Sequence, residues 1–539
     1  MRMRIFFYFI LITLLLSFQA KSQINTDSLK FTITNIGQSI NTPYDEYAPI
    51  ISADGSMMIF TSSRPIYKAD IDKKMQGMEN VYVSYYDDMS WKWSEAKLLG
   101  PTINQPWKNN SAIALSNDGQ RMLLYRGDPD GNIYESDLVG EEWSEPVKLP
   151  KPINSSSHES SASISPDGRT IYFISNRRGG QGKLDIWVCH QDNMGWGKAE
   201  NLGSAINTSE DEEGVFIHPD GKTLFFSSKG HNSMGGYDIY KTVLDEGVWS
   251  TPINMGDSIN TPKDDLFFSL TANGKTGYYS STRPGGMGQK DIYEINFKNK
   301  KQSKKIALAK NNVTNDPAAA DEEITNSDKD QPNLTLFKGI VIDYDSFEPL
   351  GSEIEITDND KNQVIATIKS NSASGKFLAS LPAGKNYGLT INKKGYLFYS
   401  ENFNIPASAA YKEIHKHIPL QKLTIGSKIV LKNIFYDFGK ATLRPESISE
   451  LFRVVKLLNL STDIKIEVAS FTDSKGSAEF NLALSQARAQ AVADFLFAGG
   501  IGKEQMVVKG YGKANPIATN ETEEGRQLNR RTEIKVLEQ

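Results

Sequence analysis

The stretch "PDGRTIYFISNRRGGQGKLDIWVC" (166–189) decides the fold of the first half of the chain, because it recurs. "PDGKTLFFSSKGHNSMGGYDIYKT" (219–242) and "ANGKTGYYSSTRPGGMGQKDIYEI" (272–295) follow the same plan, and looser copies begin at residues 53 and 117. In each copy an Asp-Gly or Asn-Gly turn precedes a β-rich strand, a loop and a second strand, with a strand also expected before the turn. A tryptophan segment follows in four copies, at Trp93, Trp143, Trp196 and Trp249.

The spacing of these copies predicts the architecture. Their turn glycines Gly119, Gly168, Gly221 and Gly274 lie about 50 residues apart, which is the period of a propeller blade. We predict an all-β propeller of five blades over residues 29–297, with six blades as the alternative. The fifth copy stops at residue 297 without its tryptophan strand, and "NIGQSIN" (35–41) matches "NMGDSIN" (254–260). Residues near 31–37 are therefore expected to complete the last blade and close the ring.

The blades resemble the WD-like repeats of the TolB type, which in that family build a periplasmic protein-binding propeller. The resemblance implies outer-membrane or periplasmic protein partners. We interpret the repeated arginine (Arg64, Arg177, Arg283) as part of the blade, because repetition in successive blades suits architecture better than a single site. The sequence has no nucleophile elbow, Asp box or metal-spaced histidine pair. We therefore predict no enzyme, catalytic residue, metal or cofactor; a glycan-binding or enzymatic propeller is the alternative of another class.

The first residues have the pattern of a secretory signal peptide. Arg2 and Arg4 precede an apolar run over residues 5–16, and Ala20 and Ser22 are small residues near a cleavage site. A run of about 12 residues is too short to span a membrane. We expect residues 1–22 to be removed and the mature chain to be exported without a transmembrane segment; an uncleaved membrane anchor is the alternative.

Chain length, net charge and cysteine content limit the number of domains, the partners and the covalent modifications to expect. A chain of 539 residues should hold several domains, since single cores seldom exceed about 250 residues. The net charge of −5 gives no reason to expect a nucleic-acid partner. The single cysteine, Cys189, excludes an intramolecular disulfide, and it leaves no acceptor for a lipid near the N-terminus. We expect a protein that is not a lipoprotein.

Two further segments follow the repeats. Residues 298–333 are polar and change from basic to acidic, which predicts a disordered linker from which the propeller samples the volume around its neighbour. Residues 334–423 contain short alternating strands. Their "GKF…LPAGKNY…KKGY" pattern resembles the carboxypeptidase regulatory-like, transthyretin-type β-sandwich, which implies a spacer or binding module without catalytic residues.

The last segment, 427–539, alternates strands and helices and predicts a small α/β sandwich. "KIVLKNIFYDF" (428–438), "IKIEVASF" (464–471), "MVVKGYG" (506–512) and "RTEIKVL" (531–537) read as strands. "RPESISELFRVVKLLNL" (444–460) reads as an amphipathic helix with Pro445 in its first turn, and residues 477–498 as a second helix.

The second helix raises a question about charge. On a helical wheel, Leu482, Leu484, Ala489, Val492, Phe495 and Leu496 form one apolar arc, whereas Gln486, Gln490 and Asp494 face water. Arg488 falls inside the apolar arc, together with Asn481 and Ser485. An unpaired buried charge is very costly, so an anion must meet Arg488. Asp473, at the turn before the helix, and a bound ligand carboxylate are the two candidates.

The order of motifs in this segment resembles the C-terminal OmpA-like peptidoglycan-binding domain. The matching stretches are "FYDFGKATLRPES" (435–447), "FTDSKG" (471–476), "FNLALSQARAQAV" (480–492), "GYGKANP" (510–516) and "NRRTEI" (529–534). In that family an aspartate and an arginine, at the positions of Asp473 and Arg488, hold the diaminopimelate of the peptidoglycan stem peptide. The resemblance thus implies a ligand site of Asp473, Arg488, Asn481 and Thr472.

The chemistry of diaminopimelate fits these residue types. Its free end carries an ammonium beside a carboxylate; a guanidinium grips the carboxylate in a bidentate manner and Asp473 accepts from the ammonium. A purely structural Asp473–Arg488 ion pair is the alternative. Ser470, Phe471 and Gly439 depart from the family pattern, which bears on affinity. For Asn529, Arg530 and Arg531 we expect a structural role that ties the last strand to the fold.

These expectations combine into a non-enzymatic cell-envelope protein of the periplasm, associated with peptidoglycan and the outer membrane. It would bind the wall through its last domain and tether a protein-binding propeller to it. The domain combination also resembles the PorE-type component of type IX secretion and gliding machinery. That component has an additional helical repeat and a lipid anchor, neither of which we expect here, so this role is the specific alternative.

Overall fold

The computed structural model describes residues 31–67, 77–127, 131–192, 194–297, 332–437, 439–459 and 463–538. The predicted signal peptide (1–22), nearly all of the predicted linker (298–333) and residues 68–76 of the first repeat lie outside these residues.

Residues 31–297 form five antiparallel sheets, counted among the described residues. The strands of the first four sheets run consecutively: β2 (Glu46–Ile51), β3 (Met57–Ser62), β4 (Asn80–Asp87), β5 (Lys92–Trp93), β6 (Lys97–Leu98); β7 (Asn110–Leu115), β8 (Arg121–Arg126), β9 (Asn132–Val139), β10 (Glu142–Trp143), β11 (Val147–Lys148); β12 (Glu159–Ile164), β13 (Thr170–Ser175), β14 (Asp185–Asp192), β15 (Gly195–Trp196), β16 (Glu200–Asn201); β17 (Glu212–Ile217), β18 (Thr223–Ser228), β19 (Asp238–Asp245), β20 (Val248–Trp249), β21 (Ile253–Asn254). The fifth sheet combines β22 (Asp265–Leu270), β23 (Thr276–Ser281) and β24 (Asp291–Phe297) with the first strand of the structure, β1 (Phe31–Asn35).

The five sheets follow one another around a ring. The first strand of each sheet contacts that of the next, in the order β2, β7, β12, β17 and β22, and β22 contacts β2 again. Apolar side chains fill the space between neighbouring sheets; one such cluster joins Ile50, Ile59, Val81 and Val83 to Ile103, Ala112, Met122 and Leu124. This is the arrangement expected of a five-bladed propeller, and we call residues 31–297 the propeller and its sheets blades.

The ring closes through the strand pair predicted from the sequence. β1 pairs antiparallel with β24, with Phe31 opposite Phe297 and Asn35 opposite Tyr293. This pairing confirms the expected closure, because β1 supplies the outer strand that the fifth repeat lacks and leaves β24 without a free edge.

The repeated arginine is part of the blade, as predicted. In the third blade, Arg177 Nη2 lies 3.0 Å from Glu159 Oε1, and Arg177 Nε donates to Ser175 Oγ at 3.0 Å. Arg64 makes the same ion pair with Glu46 in the first blade, at 3.2 Å. Because Glu159 is fully buried, the ion pair compensates a charge that would otherwise be costly.

Residues 334–420 form two facing sheets, which we call the sandwich. One sheet has the order β28-β25-β31 and the other β27-β26-β29-β30. Their strands are β25 (Leu334–Asp343), β26 (Glu353–Asp358), β27 (Gln363–Lys369), β28 (Lys376–Pro382), β29 (Lys385–Asn392), β30 (Tyr399–Ile405) and β31 (Lys412–Leu420). Side chains from both sheets share one core that includes Phe337, Ile356 and Leu389.

The last segment has one four-stranded sheet, in the order β32-β35-β33-β34, covered by helices. Its elements are β32 (Lys428–Leu431), α1 (Ile448–Asn459), β33 (Lys465–Ser470), α2 (Ala478–Ala498), β34 (Met506–Gly510), α3 (Glu523–Asn529) and β35 (Thr532–Glu538), with short 3-10 helices at Pro445–Ser447 and Lys503–Gln505. β33 and β34 are parallel, and the other pairs are antiparallel. Helices α1 and α2 bury Leu451, Val454, Val492 and Leu496 against Ile466 and Val468 of β33.

Two local expectations were wrong, and one short helix was missed. The strand predicted over 428–438 ends at Leu431, because Asn433 turns away to donate to Ser400 Oγ at 2.6 Å and Phe435 N donates to Ser447 Oγ at 2.8 Å. Leu482, placed in the apolar arc of α2, is 54% exposed. The buried face of α2 instead passes through Asn481, Ser485, Arg488, Val492 and Leu496. The short helix α3 was not predicted.

Candidate ligand site of the C-terminal domain

The loop between β33 and α2 carries Thr472 and Asp473. Thr472 N donates to Gly512 O at 2.8 Å, which fixes this loop to the turn after β34. Asp473 Oδ1 accepts from Lys475 N at 2.9 Å, a local bond that aspartate makes readily at turns. Ser477 then caps α2 by accepting from Phe480 N at 3.1 Å. The loop therefore has a defined shape at the start of the helix.

The N-terminal half of α2 presents a buried polar face to this loop. Asn481 Nδ2 donates to Lys475 O at 2.8 Å, and Ser485 Oγ accepts from Gly512 N at 2.8 Å. Gly510 permits this close approach, since a Cβ atom there would lie 2.2 Å from Gln486 N. Polar residues occupy this face because they bind the two loops that pack on it.

Arg488 lies one turn further along the same face and is only 7% exposed. Its Nε donates to Lys440 O at 3.0 Å, and its guanidinium carbon lies 4.6 Å from the centre of the Tyr436 ring. In the described part of the chain, no carboxylate forms an ion pair with Arg488. Burial lowers the pKa of Arg488, and the nearby charges of Arg530 and Asp473 act on that pKa in opposite directions.

Asp473 is paired with a different arginine. Arg530 Nη1 lies 2.7 Å from Asp473 Oδ2, while Arg530 Nη2 lies 2.7 Å from Glu523 Oε1 and also contacts Gln527. Helix α3 thus anchors Arg530, and Arg530 holds the Asp473 carboxylate. The alternative of a structural Asp473–Arg488 ion pair does not describe the structure.

The other residues of the "NRR" motif have the structural role expected for them. Asn529 is fully buried and its Oδ1 accepts from Ile517 N and Ala518 N at 2.8 and 3.0 Å. Arg531 donates to Glu533 Oε1 at 2.7 Å, and its guanidinium carbon lies 3.8 Å from the centre of the Phe471 ring. Both residues tie the loop before α3 and the last strand to the sheet.

The structure therefore places the four predicted residues at one location, with Thr472 and Asp473 on the loop and Asn481 and Arg488 on the facing helix. The sequence analysis did not assign Tyr436 to the site, and it gave Arg530 a structural role without its contact to Asp473. Tyr436 stands in the motif "FYDFGK", and Arg530 stands in "NRR", but their contacts join segments far apart in the chain.

The described residues contain neither a membrane-spanning helix nor a cluster of metal ligands. None of the helices there is long and apolar enough to cross a membrane. The same residues contain no group of three or more His, Cys, Asp or Glu side chains that could hold a metal ion.

Known proteins similar to this chain match a part of it. The "Probable lipoprotein YiaD" of Escherichia coli is 38% identical over 112 residues, which cover 20% of this chain and 51% of YiaD. The "Peptidoglycan-binding protein ArfA" of Mycobacterium tuberculosis is 42% identical over 96 residues, covering 18% of this chain and 29% of ArfA. The matches thus span about half or less of these relatives' length.

Among solved structures, TolB from Acinetobacter baumannii is similar over 47% of this chain and 54% of the TolB chain, with 17% sequence identity and a TM-score of 0.30. The family model that matches is the OmpA family, over residues 435–530. These residues include Tyr436, Thr472, Asp473, Asn481, Arg488 and Arg530. The C-terminal segment of this chain is an OmpA family domain.

Proposed function

We propose that the chain binds peptidoglycan through its OmpA family domain and that Arg488 takes the free carboxylate of the stem-peptide diaminopimelate. The observation that carries the proposal is the state of Arg488. It is a buried guanidinium without a carboxylate partner in the described structure. Desolvating a cation is costly, and an anionic ligand group offsets that cost by a bidentate, charge-assisted contact.

The surroundings of Arg488 prepare it for this contact. Lys440 O holds Nε, and the Tyr436 ring lies against the guanidinium, so two contacts fix the plane of the group. The two Nη atoms remain for a ligand. A side chain already held in its binding geometry loses less conformational entropy when the ligand arrives.

Asp473 would accept from the ammonium group of the same ligand. Each of its carboxylate oxygens accepts one bond in the structure, Oδ1 from Lys475 N and Oδ2 from Arg530 Nη1. An ionised carboxylate has about four acceptor positions, so capacity remains for an ammonium. Arg530 holds the Asp473 carboxylate in place, and Thr472 and Asn481 supply polar groups at the edges of the site.

The comparisons support this proposal. ArfA is named for peptidoglycan binding, and its similarity to this chain is of the length of the OmpA family domain. We further propose that the protein is exported by its signal peptide, is not a lipoprotein, and works in the periplasm beside peptidoglycan and the outer membrane. There it presents the propeller to envelope proteins, without catalysis of its own.

Cosedimentation of the full chain with purified walls tests the proposal. The wild-type protein should pellet with walls whose stems contain diaminopimelate and should remain largely soluble with walls whose stems contain lysine, which lacks the distal carboxylate. The Arg488→Ala variant should no longer pellet with the diaminopimelate walls. Arg444→Ala is the matched control, because Arg444 is an exposed arginine of the same domain that pairs with Glu446. Equal binding of Arg488→Ala and the control to diaminopimelate walls would contradict the proposal.

A further inference from the structure

The sandwich contacts one end of the propeller. We call this the turn end, because it carries the Asp-Gly and Asn-Gly turns of the blades. Asn117 Nδ2 donates to Ser380 Oγ at 2.7 Å, and Asn371 Nδ2 donates to Gly140 O at 2.6 Å. These two contacts attach the sandwich to the second blade. They join residues more than 200 positions apart in the chain.

The first and third blades also contact the sandwich. Lys338 Nζ lies 3.4 Å from Asp54 Oδ2 in the turn of the first blade. Arg169 Nη1, in the turn of the third blade, donates to Val364 O at 3.2 Å. Asp54 is thereby paired, and the charge of Lys338 contributes to a lowered pKa of its carboxyl against the opposing effect of burial.

An apolar cluster lies among these polar contacts. Ala53 of the first blade and Ala272 of the fifth are buried together with Leu334, Leu336 and Leu378 of the sandwich. Four of the five blades therefore contact the sandwich, counted over the described residues. An interface with an apolar centre and a polar periphery has the composition of a stable contact between protein surfaces.

The opposite side of the sandwich joins the OmpA family domain. Leu397 and Phe398 are buried in the core of that domain, beside Leu431, Leu451 and Val455. Around them, Arg453 Nε lies 3.1 Å from Glu355 Oε2, and Arg453 Nη2 donates to Thr357 Oγ1 at 2.7 Å. A shared hydrophobic core leaves no freedom for the two domains to rotate independently.

We propose that the sandwich is a rigid adaptor. It holds the turn end of the propeller and the OmpA family domain in one fixed arrangement, and it closes the turn end to any protein partner. The sequence instead indicated a spacer beside a freely sampling propeller. This proposal does not depend on what the OmpA family domain binds.

The covalent connection favours the closed arrangement. Because the surfaces belong to one chain, their effective concentration is on the order of 1 mM. An interface with an intrinsic Kd of about 10 µM would then be closed about 99% of the time. The contacts described above therefore need only modest affinity to keep the propeller in place.

An engineered disulfide tests the adaptor in the full chain. Asn117→Cys and Ser380→Cys introduce two thiols at side chains that are in contact, in a Cys189→Ser background that removes the natural cysteine. The control pair is Met234→Cys with Ser380→Cys, because Met234 lies in an exposed loop at the far end of the fourth blade. Mild oxidation is followed by free-thiol labelling and intact mass.

If the sandwich is a rigid adaptor, the Asn117→Cys/Ser380→Cys pair should oxidise at least about tenfold faster than the control pair. The disulfide should form within one chain and nearly to completion. The locked protein should also cosediment with walls as the reduced protein does. Oxidation of the two pairs at similar rates would overturn the fixed arrangement. A locked protein that no longer pellets, while its reduced form does, would show that the working arrangement is a different one. If neither the locked nor the reduced protein pelleted with walls, the proposed peptidoglycan binding would be wrong. The oxidation rates would still test whether the sandwich holds the propeller in a fixed arrangement.

Discussion

Arg530 Nη1 lies 2.7 Å from Asp473 Oδ2, so the acidic residue of the candidate site is paired with Arg530 and leaves Arg488 without a carboxylate among the described residues. Arg530 is shared between Asp473 and Glu523, whereas Arg488 pairs with neither carboxylate. The charge of Arg488 therefore favours a ligand that brings a carboxylate of its own, since a neutral group would leave Arg488 buried and uncompensated.

The first prediction concerns that ligand carboxylate. A stem peptide with diaminopimelate should compete with walls for the full chain, whereas the same peptide with a carboxamide at the distal carboxylate should compete at least about tenfold less well, because a carboxamide cannot form the bidentate ion pair. Competition cosedimentation measures both. The same stem peptide with lysine in place of diaminopimelate, which lacks the distal carboxylate altogether, is the second comparison. Equal potency of the acid and the carboxamide would show that Arg488 does not meet a carboxylate.

The second prediction concerns Tyr436, which we regard as a positioning residue for Arg488. Tyr436→Leu should weaken wall binding several-fold, since it removes the ring 4.6 Å from the guanidinium carbon, a contact of about 0.5–2 kcal/mol. Tyr436→Phe keeps the ring and loses a long contact with Thr532 Oγ1, so its affinity should stay near that of the wild type. Binding isotherms of the two variants test this. If both variants bound with wild-type affinity, the ring would not position Arg488.

The third prediction concerns the core shared by the sandwich and the OmpA family domain. Phe398→Ala should destabilise the OmpA family domain by about 3–5 kcal/mol, although residue 398 lies outside the matched family segment. Faster hydrogen exchange in α1 of the full chain would report this loss. Tyr344→Ala, at a half-exposed position of the sandwich, is the control and should leave α1 protected. Unchanged exchange in Phe398→Ala would mean that the two cores are independent.

The fourth prediction concerns pH. Burial raises the pKa of Glu212 to about 7, and its described contacts are hydroxyl and amide donors without an arginine. Because the pKa of Glu212 in the folded protein lies above its ordinary value of about 4.5, the protonated carboxyl of Glu212 contributes to the stability of the folded state. That contribution is fully present below about pH 4.5 and is lost as pH rises through about 7. The loss is at most about 3 kcal/mol.

Glu212→Gln should therefore flatten the fall in propeller melting temperature between pH 5 and 8 and should be more stable than wild type at pH 8. The matched control is Glu159→Gln. Glu159 holds the equivalent position in the third blade but pairs with Arg177 at 3.0 Å, so its replacement should destabilise the propeller by leaving a largely buried guanidinium without its carboxylate. If the melting temperature of Glu212→Gln fell between pH 5 and 8 as steeply as that of the wild type, the raised pKa of Glu212 would not be the cause of the fall.

The sequence predicted those features that leave local or repeated signals. The Asp-Gly turns gave the blades, the match between residues 35–41 and 254–260 gave the pairing of β1 with β24, and the helical position of Arg488 gave its burial. The Asp473–Arg530 pair had no such signal, because 57 residues separate its members and α3, which anchors Arg530, carries little periodicity. The docking of the sandwich on the propeller rests on contacts such as Asn117–Ser380, whose polar residues are individually ordinary surface residues.

The central claim is that Arg488 and Asp473 bind the two charges of diaminopimelate, and wall-binding isotherms of Arg488→Ala, Asp473→Asn and the double variant in the full chain test it most directly. Each single change removes one partner of a charge-assisted contact, so each should cost about 2–5 kcal/mol, which is at least about 30-fold in affinity. The double variant should bind no better than either single variant, with circular dichroism and melting temperature showing that it is folded. A folded double variant that binds walls like the wild type would contradict the account and place the site elsewhere.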